Sequence, residues 1–268
     1  MTGSEPVVAR EPQGPTGEVE ATLLTYLLRH ADDNLVLAQR LGEWISNGPE
    51  LEEDIALANV GIDFLGQARA IYTYAAGAEG AGRTEDDLAM LRPEREFTNC
   101  LLVEQPNGDF AHTMARQLFF DAYQLSLWDG LSRSEDVTLA GIAAKALKEA
   151  RYHFRHSSMW VIRLGDGTEE SHRRMQDGVD AMWRFTAELF TGDAVDAVMV
   201  DQGIGVDPAT FAAAWRDRID EVLAAGTLRV PEDPYQRMGG RTGFHTEHLG
   251  HLLSELQWMQ RTYPGLEW

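Results

Sequence analysis

The sequence predicts an all-α protein built as a bundle of long helices. Apolar residues recur at helical spacing along almost the whole chain, and no segment shows a convincing strand-like alternation. Capping and turn residues divide the chain into segments of up to about 25 or 30 residues, which are roughly 40 Å long at about 1.5 Å per residue. Two segments, 57–68 and 118–128, are apolar on nearly every face, so both are predicted to lie in the centre of the bundle.

Helix-start and helix-stop residues place these segments in order. Pro49 begins a helix that runs to about residue 77, and the turn QPNG of 105–108 precedes the next helix. Ser134, followed by EDV, begins a third helix that ends at the LGDG of 164–167. Further helices are predicted to start at Thr168 and at Asp207-Pro208, and a last helix, at about 244–263, follows the loop LRVPEDPYQRMGGRTG of 228–243.

The composition is that of an ordinary globular protein, and it narrows the choice of partners. The chain has 268 residues, a formal charge of −20 and a pI near 4.7. Binding to duplex DNA or to an anionic membrane needs clustered Lys and Arg, so neither is a predicted partner. No apolar run approaches the ~18 residues that span a bilayer. Cys100 is the single cysteine, which excludes an intramolecular disulfide and favours a cytoplasmic location.

The first residues differ in composition from the rest of the chain. Residues 1 to about 18 are rich in Pro, Gly and Glu and lack the hydrophobic stretch of a signal peptide, so they are predicted to be a disordered tail. Residues 19–268 contain no internal repeat and are predicted to form a single helical domain.

Carboxylates stand inside the apolar helical segments. Asp63 and Asp121 are the only charged residues of the two most apolar ones, Glu149 shares a helix face with His153, and Glu43 is a candidate fourth carboxylate. An unpaired buried carboxylate is destabilising by several kcal/mol, so a metal, a cation or protonation is expected. Four helices that each contribute a central carboxylate are the plan of ferritin-like di-iron proteins.

The histidines that complete such a site are missing. In the ferritin-like plan, two of the helices carry a histidine three residues after the carboxylate. Gly66 stands three residues after Asp63, and Tyr152 stands three residues after Glu149. The four carboxylates and His153 are therefore either a metal site or the remnant of one, and the spacing alone leaves both possibilities open.

Two other acidic residues precede a histidine at the same spacing. Asp109 and His112, like Glu169 and His172, lie in the first turn of a predicted helix. Acidic residues commonly cap helices there, so capping is the preferred interpretation of both pairs.

Three histidines spaced by three open the last helix. His245, His248 and His251 resemble a metal-ligand set, but packing or capping is more common at the start of a helix. The preceding RMGGRTG of 237–243 is basic and glycine-rich, so it offers a contact for an anionic ligand, although a plain loop is the simpler interpretation.

Five stretches of the sequence are long and distinctive. They are LRHADDNLVLAQRLGEWISNGPELEEDIALANVGIDFLGQAR at 28–69, LLVEQPNGDFAHTMARQLFFDAY at 101–123, AAKALKEARYHFR at 143–155, MWRFTAELF at 182–190 and HTEHLGHLLSELQWMQRTYPG at 245–265. Together they resemble the C subunits of the bacterial phenylacetyl-CoA epoxidases. The resemblance extends from about residue 23 to residue 268 without a large gap.

The resemblance implies a ferritin-like bundle with additional C-terminal helices and a place in a multicomponent oxygenase. Such an enzyme epoxidises the aromatic ring of phenylacetyl-CoA during phenylacetate breakdown. A paralogous A subunit holds the di-iron centre, and a reductase with FAD and an iron–sulfur cluster delivers electrons from NADPH. The C subunit has no working metal site and no cofactor, and it supports the A subunit; Gly66 and Tyr152 agree with that role. The implied partners are the A subunit and the other epoxidase components.

The resemblance also implies where an acyl-CoA substrate would contact the chain. One substrate-lining segment of the family falls on Glu96, Phe97, Thr98 and Asn99. Phe97 and Asn99 match the usual residues, whereas Glu96 and Thr98 replace a glutamine and a basic residue. Backbone contacts would survive these changes, but Thr98 offers no basic group to a phosphate. A second segment, in which only apolar character is retained, falls on Ala197, Val198 and Met199.

Three functions are compatible with these observations. The first is a structural, non-catalytic epoxidase subunit, in which Asp63, Asp121 and Glu149 are neutralised by buried basic residues such as Arg116, Lys145 or Arg40. The second is a di-iron oxygenase that acts alone through Glu43, Asp63, Asp121, Glu149 and His153. The third is a stand-alone acyl-CoA-binding protein. Metal analysis separates the second from the others, and co-purification separates the first from the third.

Overall fold

The fold is all-α, as predicted. A computed structural model describes residues 15–232 and 235–266, and the regular elements within these ranges are all helical. In chain order the α-helices are α1 (Pro15–Gly42), α2 (Leu51–Glu79), α3 (Glu85–Met90), α4 (Leu101–Glu104), α5 (Phe110–Leu131), α6 (Val137–Gly165), α7 (Glu169–Trp183), α8 (Ala194–Asp201), α9 (Ala212–Ala225), α10 (Glu247–Leu256) and α11 (Trp258–Thr262). Short 3-10 helices lie at Glu94–Glu96, Ala187–Phe190, Pro208–Phe211 and Gly240–Thr242.

Four long helices, α1, α2, α5 and α6, form the bundle. α1 packs along α2 and α5 packs along α6, and short connections make each pair an antiparallel hairpin. α2 also contacts α6, which joins the two hairpins. The shorter helices cover this bundle, with α7 and α9 against α5 and α6, and with α8 and α10 against α1.

Side-chain caps begin several helices where the sequence predicts them. Asp109 caps α5, because its Oδ1 accepts the backbone N–H of His112 at 3.0 Å. The hydroxyl of Thr168 caps α7. α6 begins after Asp136 rather than at Ser134, because the Asp136 carboxylate accepts backbone N–H bonds from the first turn. Capping therefore sets these helix starts to within a few residues of their predicted places.

The predicted last helix is interrupted. α10 ends at Leu256 and α11 begins at Trp258. Between them, Gln257 is buried and its Nε2 donates to the carbonyls of Ala89 and Arg92 at 3.1 Å each. The junction between α10 and α11 is thereby tied to α3 and to the segment that follows it.

α5 lies in the centre of the bundle, as predicted, whereas α2 does not. Every residue from 113 to 124 of α5 is buried. On α2, Ile55, Ile62 and Leu65 are exposed, and Ile62 retains 64% of its accessible surface. Apolar residues thus occupy two faces of α2, and only one of these faces packs in the core. The predicted central position is therefore wrong for α2.

The predicted boundary between the tail and the helical domain, at about residue 18, falls within α1. Residues 1–14 of the predicted tail lie outside the described residues, and α1 begins at Pro15. Within 15–232 and 235–266, none of the helices combines the length and the apolar character that crossing a membrane requires.

Candidate functional site

Two side-chain contacts join α2 to α6 where the sequence predicts metal ligands. His153 Nε2 lies 3.1 Å from Asp63 Oδ2, and Gln67 Nε2 donates to Glu149 Oε2 at 2.9 Å. Lys145 Nζ approaches Glu149 Oε1 at 3.6 Å from the solvent side. The Asp63 side chain is 39% exposed, so it is not the buried carboxylate that the sequence predicts.

Asp121 is buried, unlike Asp63. Ser157 Oγ donates to its Oδ2 at 2.8 Å, and its Oδ1 has no hydrogen-bond partner among the described residues. Burial raises the pKa of Asp121 to about 7, although His153, the Ser157 hydroxyl and Arg116 all favour the ionised form. This carboxyl group therefore takes up a proton near neutral pH, and below about pH 7 it is buried mainly in its neutral form.

Glu43 lies away from the bundle centre. It follows the last residue of α1, and its carboxylate accepts from Arg40 Nη1 at 2.7 Å and from Asn107 Nδ2 at 2.9 Å. The structure thus places it in a partly exposed cluster near the start of α5, because α1 ends before it. Glu43 is not the fourth central carboxylate.

Of the three cations predicted to neutralise the carboxylates, only Lys145 contacts one of those on α2, α5 and α6. Arg116 Nη1 donates to the carbonyl of Gln105 at 2.7 Å, and its Nη2 donates to Asn107 Oδ1 at 2.7 Å. Burial, reinforced by the charge of Arg40, lowers the pKa of Arg116 to about 9. Arg116 and Arg40 therefore stabilise the connection before α5, and Arg40 also pairs with Glu43; among the described residues neither arginine is hydrogen-bonded to Asp63, Asp121 or Glu149.

The described residues do not bring the predicted ligands together. Among 15–232 and 235–266, no group of three or more His, Cys, Asp or Glu is arranged to hold a metal ion. Asp63, Glu149 and Asp121 are each bonded to a different protein side chain. A di-iron centre needs carboxylates and imidazoles that converge on one point, so this donor set does not fit it.

The two positions that lack histidine both face outward. A Cβ atom at Gly66 would have no atom of the residues 15–232 and 235–266 within 4 Å, and the position is exposed. Tyr152 is 44% exposed and stacks on His156, with ring centroids 6.3 Å apart. Both positions therefore face away from the predicted site. This orientation, together with the absence of histidine at either position, is incompatible with a di-iron ligand set.

Adding histidine at both positions is expected not to create an iron site. The imidazoles of a Gly66→His, Tyr152→His variant would lie on the outer surface, beyond a half-exposed Asp63. The variant should stay folded, since neither position is packed. After purification from iron-replete medium, elemental analysis should find far less than one iron per chain. Gly66→Ala with Tyr152→Phe is the matched control, and stoichiometric iron in the histidine variant alone would contradict the expectation.

The sequence interpretation missed two buried carboxylates in the middle of α1. The first, Asp32, forms an ion pair with Arg92 that is nearly inaccessible to solvent. Its oxygens also accept bonds from the Tyr72 hydroxyl and from the backbone N–H of Thr98, the latter at 2.8 Å. The sequence feature that could have revealed both carboxylates is the run HADDNL of 30–35, where adjacent aspartates interrupt an apolar helix.

The second carboxylate, Asp33, is bonded to an arginine of the basic loop of 237–243. Arg241 donates to it through Nη1 at 3.0 Å and Nη2 at 2.8 Å, and the backbone N–H of Cys100 donates to Oδ1 at 2.7 Å. Burial raises the pKa of Asp33 above its ordinary range, although Arg241 opposes the shift. Arg241 is therefore directed into the protein, whereas Arg237, the other arginine of this loop, is exposed.

Gly240 allows this loop to sit against the segment before α4. A Cβ atom built at Gly240 would lie 2.1 Å from the carbonyl oxygen of Asn99. No side chain fits in that space, so the glycine is a requirement of close backbone approach.

His245 packs against a buried glutamate. Its Nδ1 lies 2.8 Å from Glu104 Oε2, and its Nε2 lies 2.9 Å from the carbonyl of Phe97. Burial alone would lower the pKa of His245, but the hydrogen bond and charge of Glu104 raise it above the ordinary value. Glu104 also accepts the backbone N–H of Thr246 at 2.7 Å, just before α10. The packing interpretation is thus confirmed for this histidine, which does not itself cap α10.

Of the two acidic residues that precede a histidine at helix starts, Asp109 caps its helix as predicted, whereas Glu169 does not, because the hydroxyl of Thr168 caps α7. His112 Nδ1 lies 2.8 Å from Asp109 Oδ1, within the cap of α5. Glu169 lies in the first turn of α7, and His172 Nδ1 lies 2.7 Å from the carbonyl of Gly165. His112 therefore contacts the cap of α5, and His172 contacts the last residue of α6.

Comparison with known proteins identifies the family. Residues 8–268 match the sequence model of the phenylacetic acid catabolic protein family. The chain belongs to this family. It is also 52% identical, over 246 residues, to the C subunit of the 1,2-phenylacetyl-CoA epoxidase of Escherichia coli (strain K12), and the alignment covers 92% of this chain and 99% of that protein.

In this chain, the first segment predicted to contact acyl-CoA is largely internal. Phe97 and Asn99 are fully buried, and the backbone N–H and hydroxyl of Thr98 donate to Asp32 at 2.8 and 3.1 Å. Glu96 is exposed. In the second segment Ala197 is exposed, Val198 is half-buried and Met199 is buried. Contact with a substrate stays a prediction, and Glu96 and Ala197 are the exposed members of the two segments.

Proposed function

We propose that this chain is a structural, non-catalytic subunit of a phenylacetyl-CoA epoxidase and that it supports a paralogous di-iron A subunit. The observation that carries the proposal is the pairing across α2 and α6, where His153 contacts Asp63 and Gln67 contacts Glu149. These contacts occupy side chains that a metal site would need. The similarity to a protein named as one subunit of an epoxidase supports the proposal that this chain acts within an assembly.

In this proposal the redox chemistry belongs to other components. The A subunit holds the di-iron centre and epoxidises the aromatic ring. A reductase with FAD and an iron–sulfur cluster supplies electrons from NADPH, and the complex works in the cytoplasm. This chain contributes a rigid helical surface, and its buried ion pairs stabilise that surface without taking part in the reaction.

Iron content and association test the proposal together. Purified alone from iron-replete medium, the chain should contain far less than one iron per protomer and should not turn over phenylacetyl-CoA. Co-expressed with the A subunit, it should form a stable complex that buries well over about 1,000 Å². With the reductase and NADPH, that complex should consume phenylacetyl-CoA, and the A subunit alone is the control.

Two outcomes would count against it. Stoichiometric iron and turnover by the chain alone would favour a di-iron oxygenase that acts independently. Separate elution of the two subunits at micromolar concentration would remove the structural role, and tight binding of phenylacetyl-CoA by the isolated chain would then favour an acyl-CoA-binding protein.

A further inference from the structure

Two of the five asparagines in the sequence precede a glycine. Asn47-Gly48 lies in the connection between α1 and α2, and Asn107-Gly108 lies in the connection between α4 and α5. A glycine has no side chain to shield its backbone nitrogen, and its backbone rotates freely. In an Asn-Gly pair this nitrogen can reach the side-chain carbonyl carbon of the asparagine. The fold treats the side chains of the two pairs differently.

Asn47 lies in an exposed turn. Its Nδ2 donates to the carbonyl of Glu43 at 3.1 Å and to the carbonyl of Ile45 at 3.4 Å, and both bonds are open to solvent. The preceding residue, Ser46, has a φ of 70°, in the left-handed region that is uncommon for residues other than glycine. Water can replace both bonds of the Asn47 amide, so this side chain is free to turn toward the next backbone nitrogen.

Packing against α2 requires the glycine that follows Asn47. A Cβ atom at Gly48 would lie 2.8 Å from the backbone nitrogen and from the Cα atom of Asp54, in the first turn of α2. The Gly48 N–H donates to Asp54 Oδ2 at 3.3 Å, which is a long hydrogen bond. A larger residue therefore does not fit at this position, and the fold keeps an accessible backbone nitrogen directly after an exposed asparagine.

Asn107, by contrast, is bonded at both ends of its amide. Its Nδ2 donates to the carbonyl of Arg40 at 2.7 Å and to Glu43 Oε2 at 2.9 Å. Its Oδ1 accepts from Nη2 of the buried Arg116 at 2.7 Å. Turning this amide toward the backbone nitrogen of Gly108 would break these three bonds and would leave a buried arginine without one of its acceptors.

We propose that Asn47 is a site of spontaneous deamidation in the folded chain and that the fold protects Asn107 from the same reaction. The backbone nitrogen of Gly48 attacks Cγ of Asn47, so a C–N bond forms between them. The bond from Cγ to the amide nitrogen breaks, and ammonia leaves with the proton that the Gly48 nitrogen gives up. Water then opens either carbonyl of the resulting cyclic imide. The products are aspartate and isoaspartate, in which the main chain runs through the former side-chain carbon.

The reaction changes the turn between α1 and α2. A carboxylate at position 47 cannot donate to the carbonyls of Glu43 and Ile45, so both side-chain bonds of the turn are lost. It also adds a negative charge to a chain that already has a formal charge of −20. A stored sample is therefore expected to become a mixture of charge forms, which anion exchange separates.

Mass spectrometry of peptides from the incubated full-length chain tests the proposal. The folded chain is kept in a mildly alkaline buffer, and the conversion of each amide to a carboxyl group is followed over time. Conversion should be about tenfold or more faster at Asn47 than at Asn107, because the latter must first give up its hydrogen bonds. Asn47 should yield two products of equal mass, aspartate and isoaspartate. In guanidinium chloride, which removes the hydrogen bonds of the fold, the two rates should become similar.

Two variants assign the charge forms to the turn. Asn47→Gln keeps an amide but would have to close a larger ring, so most of the new charge forms should disappear. Asn59→Gln replaces an exposed asparagine that precedes valine, and it should leave them unchanged.

Three results would overturn the proposal. The first is equal conversion of Asn47 and Asn107 in the folded chain. The second is conversion of Asn47 only after denaturation, which would show that the turn holds its amide. The third is aspartate as the single product, which would show direct hydrolysis by water without attack by Gly48.

Discussion

Replacing Arg241 by methionine is expected to lower the free energy of unfolding by roughly 3 to 5 kcal/mol, because the change leaves the Asp33 carboxylate buried without its cation. The Asp33 side chain is 2% exposed, and its remaining partner would be the backbone N–H of Cys100. For a chain of this size the melting temperature should fall by about 10 °C. Thermal and urea unfolding of the isolated chain measure both quantities.

Two variants show whether the unpaired charge is the cause. Asp33→Asn combined with Arg241→Met removes both charges and keeps an acceptor for Cys100, so it should recover most of the lost stability. Arg173→Met, which removes an exposed ion-paired arginine from α7, should change stability by less than about 1 kcal/mol. A double variant as unstable as Arg241→Met would instead assign the loss to the packing of the arginine side chain.

The helical architecture was predictable because its signals are local. Asp109, Asp136 and Thr168 cap helices through bonds to residues two or three positions later. Apolar periodicity likewise located α5 in the bundle centre. These features depend on neighbours in the sequence, so a single chain contains the information needed to place them.

The exposure of α2 was not predictable from the same signals. Ile62 and Phe64 are equally apolar, yet Ile62 is 64% exposed and Phe64 is fully buried. Periodicity identifies apolar faces, but it does not say whether this chain or another molecule covers each face. Asp63 was misplaced for this reason, since it lies between these two residues at the edge of the packed face.

The partners of the buried acidic residues could not be predicted from the sequence pattern either. Asp32 and Asp33 find their arginines 60 and 208 positions away along the chain. Neither spacing is helical, so only the folded arrangement brings these groups together. Glu43, by contrast, was near a cation in sequence, at Arg40, and its misassignment arose because α1 ends at Gly42.

Asp121 makes the stability of the chain depend on pH in the opposite direction from an ordinary carboxylate. Burial raises its pKa from 3.8 to about 7 in the folded chain, so the folded state holds the proton more tightly than the unfolded state does. Its contribution to stability is therefore fully present below about pH 4 and is lost as pH rises toward 7. Above pH 7 the side chain is ionised but still buried. The contribution of Asp121 to the free energy of unfolding therefore differs by roughly 4 kcal/mol between pH values below about 4 and above 7.

Asp121→Asn is expected to remove this loss, because the amide is neutral at every pH and can still accept the Ser157 hydroxyl bond. Between pH 5.5 and 8.5 the wild type should lose about 2 kcal/mol relative to the variant, with the difference levelling above pH 7. Ser157→Ala is the companion variant: without the hydroxyl the ionised form is less stable, so the loss should continue to higher pH. Urea unfolding at each pH measures the difference, and NMR titration of the Asp121 carboxyl carbon measures the pKa directly. A midpoint near 4, or a difference that does not change with pH, would show that water reaches Asp121 in the folded chain and that its burial is incomplete.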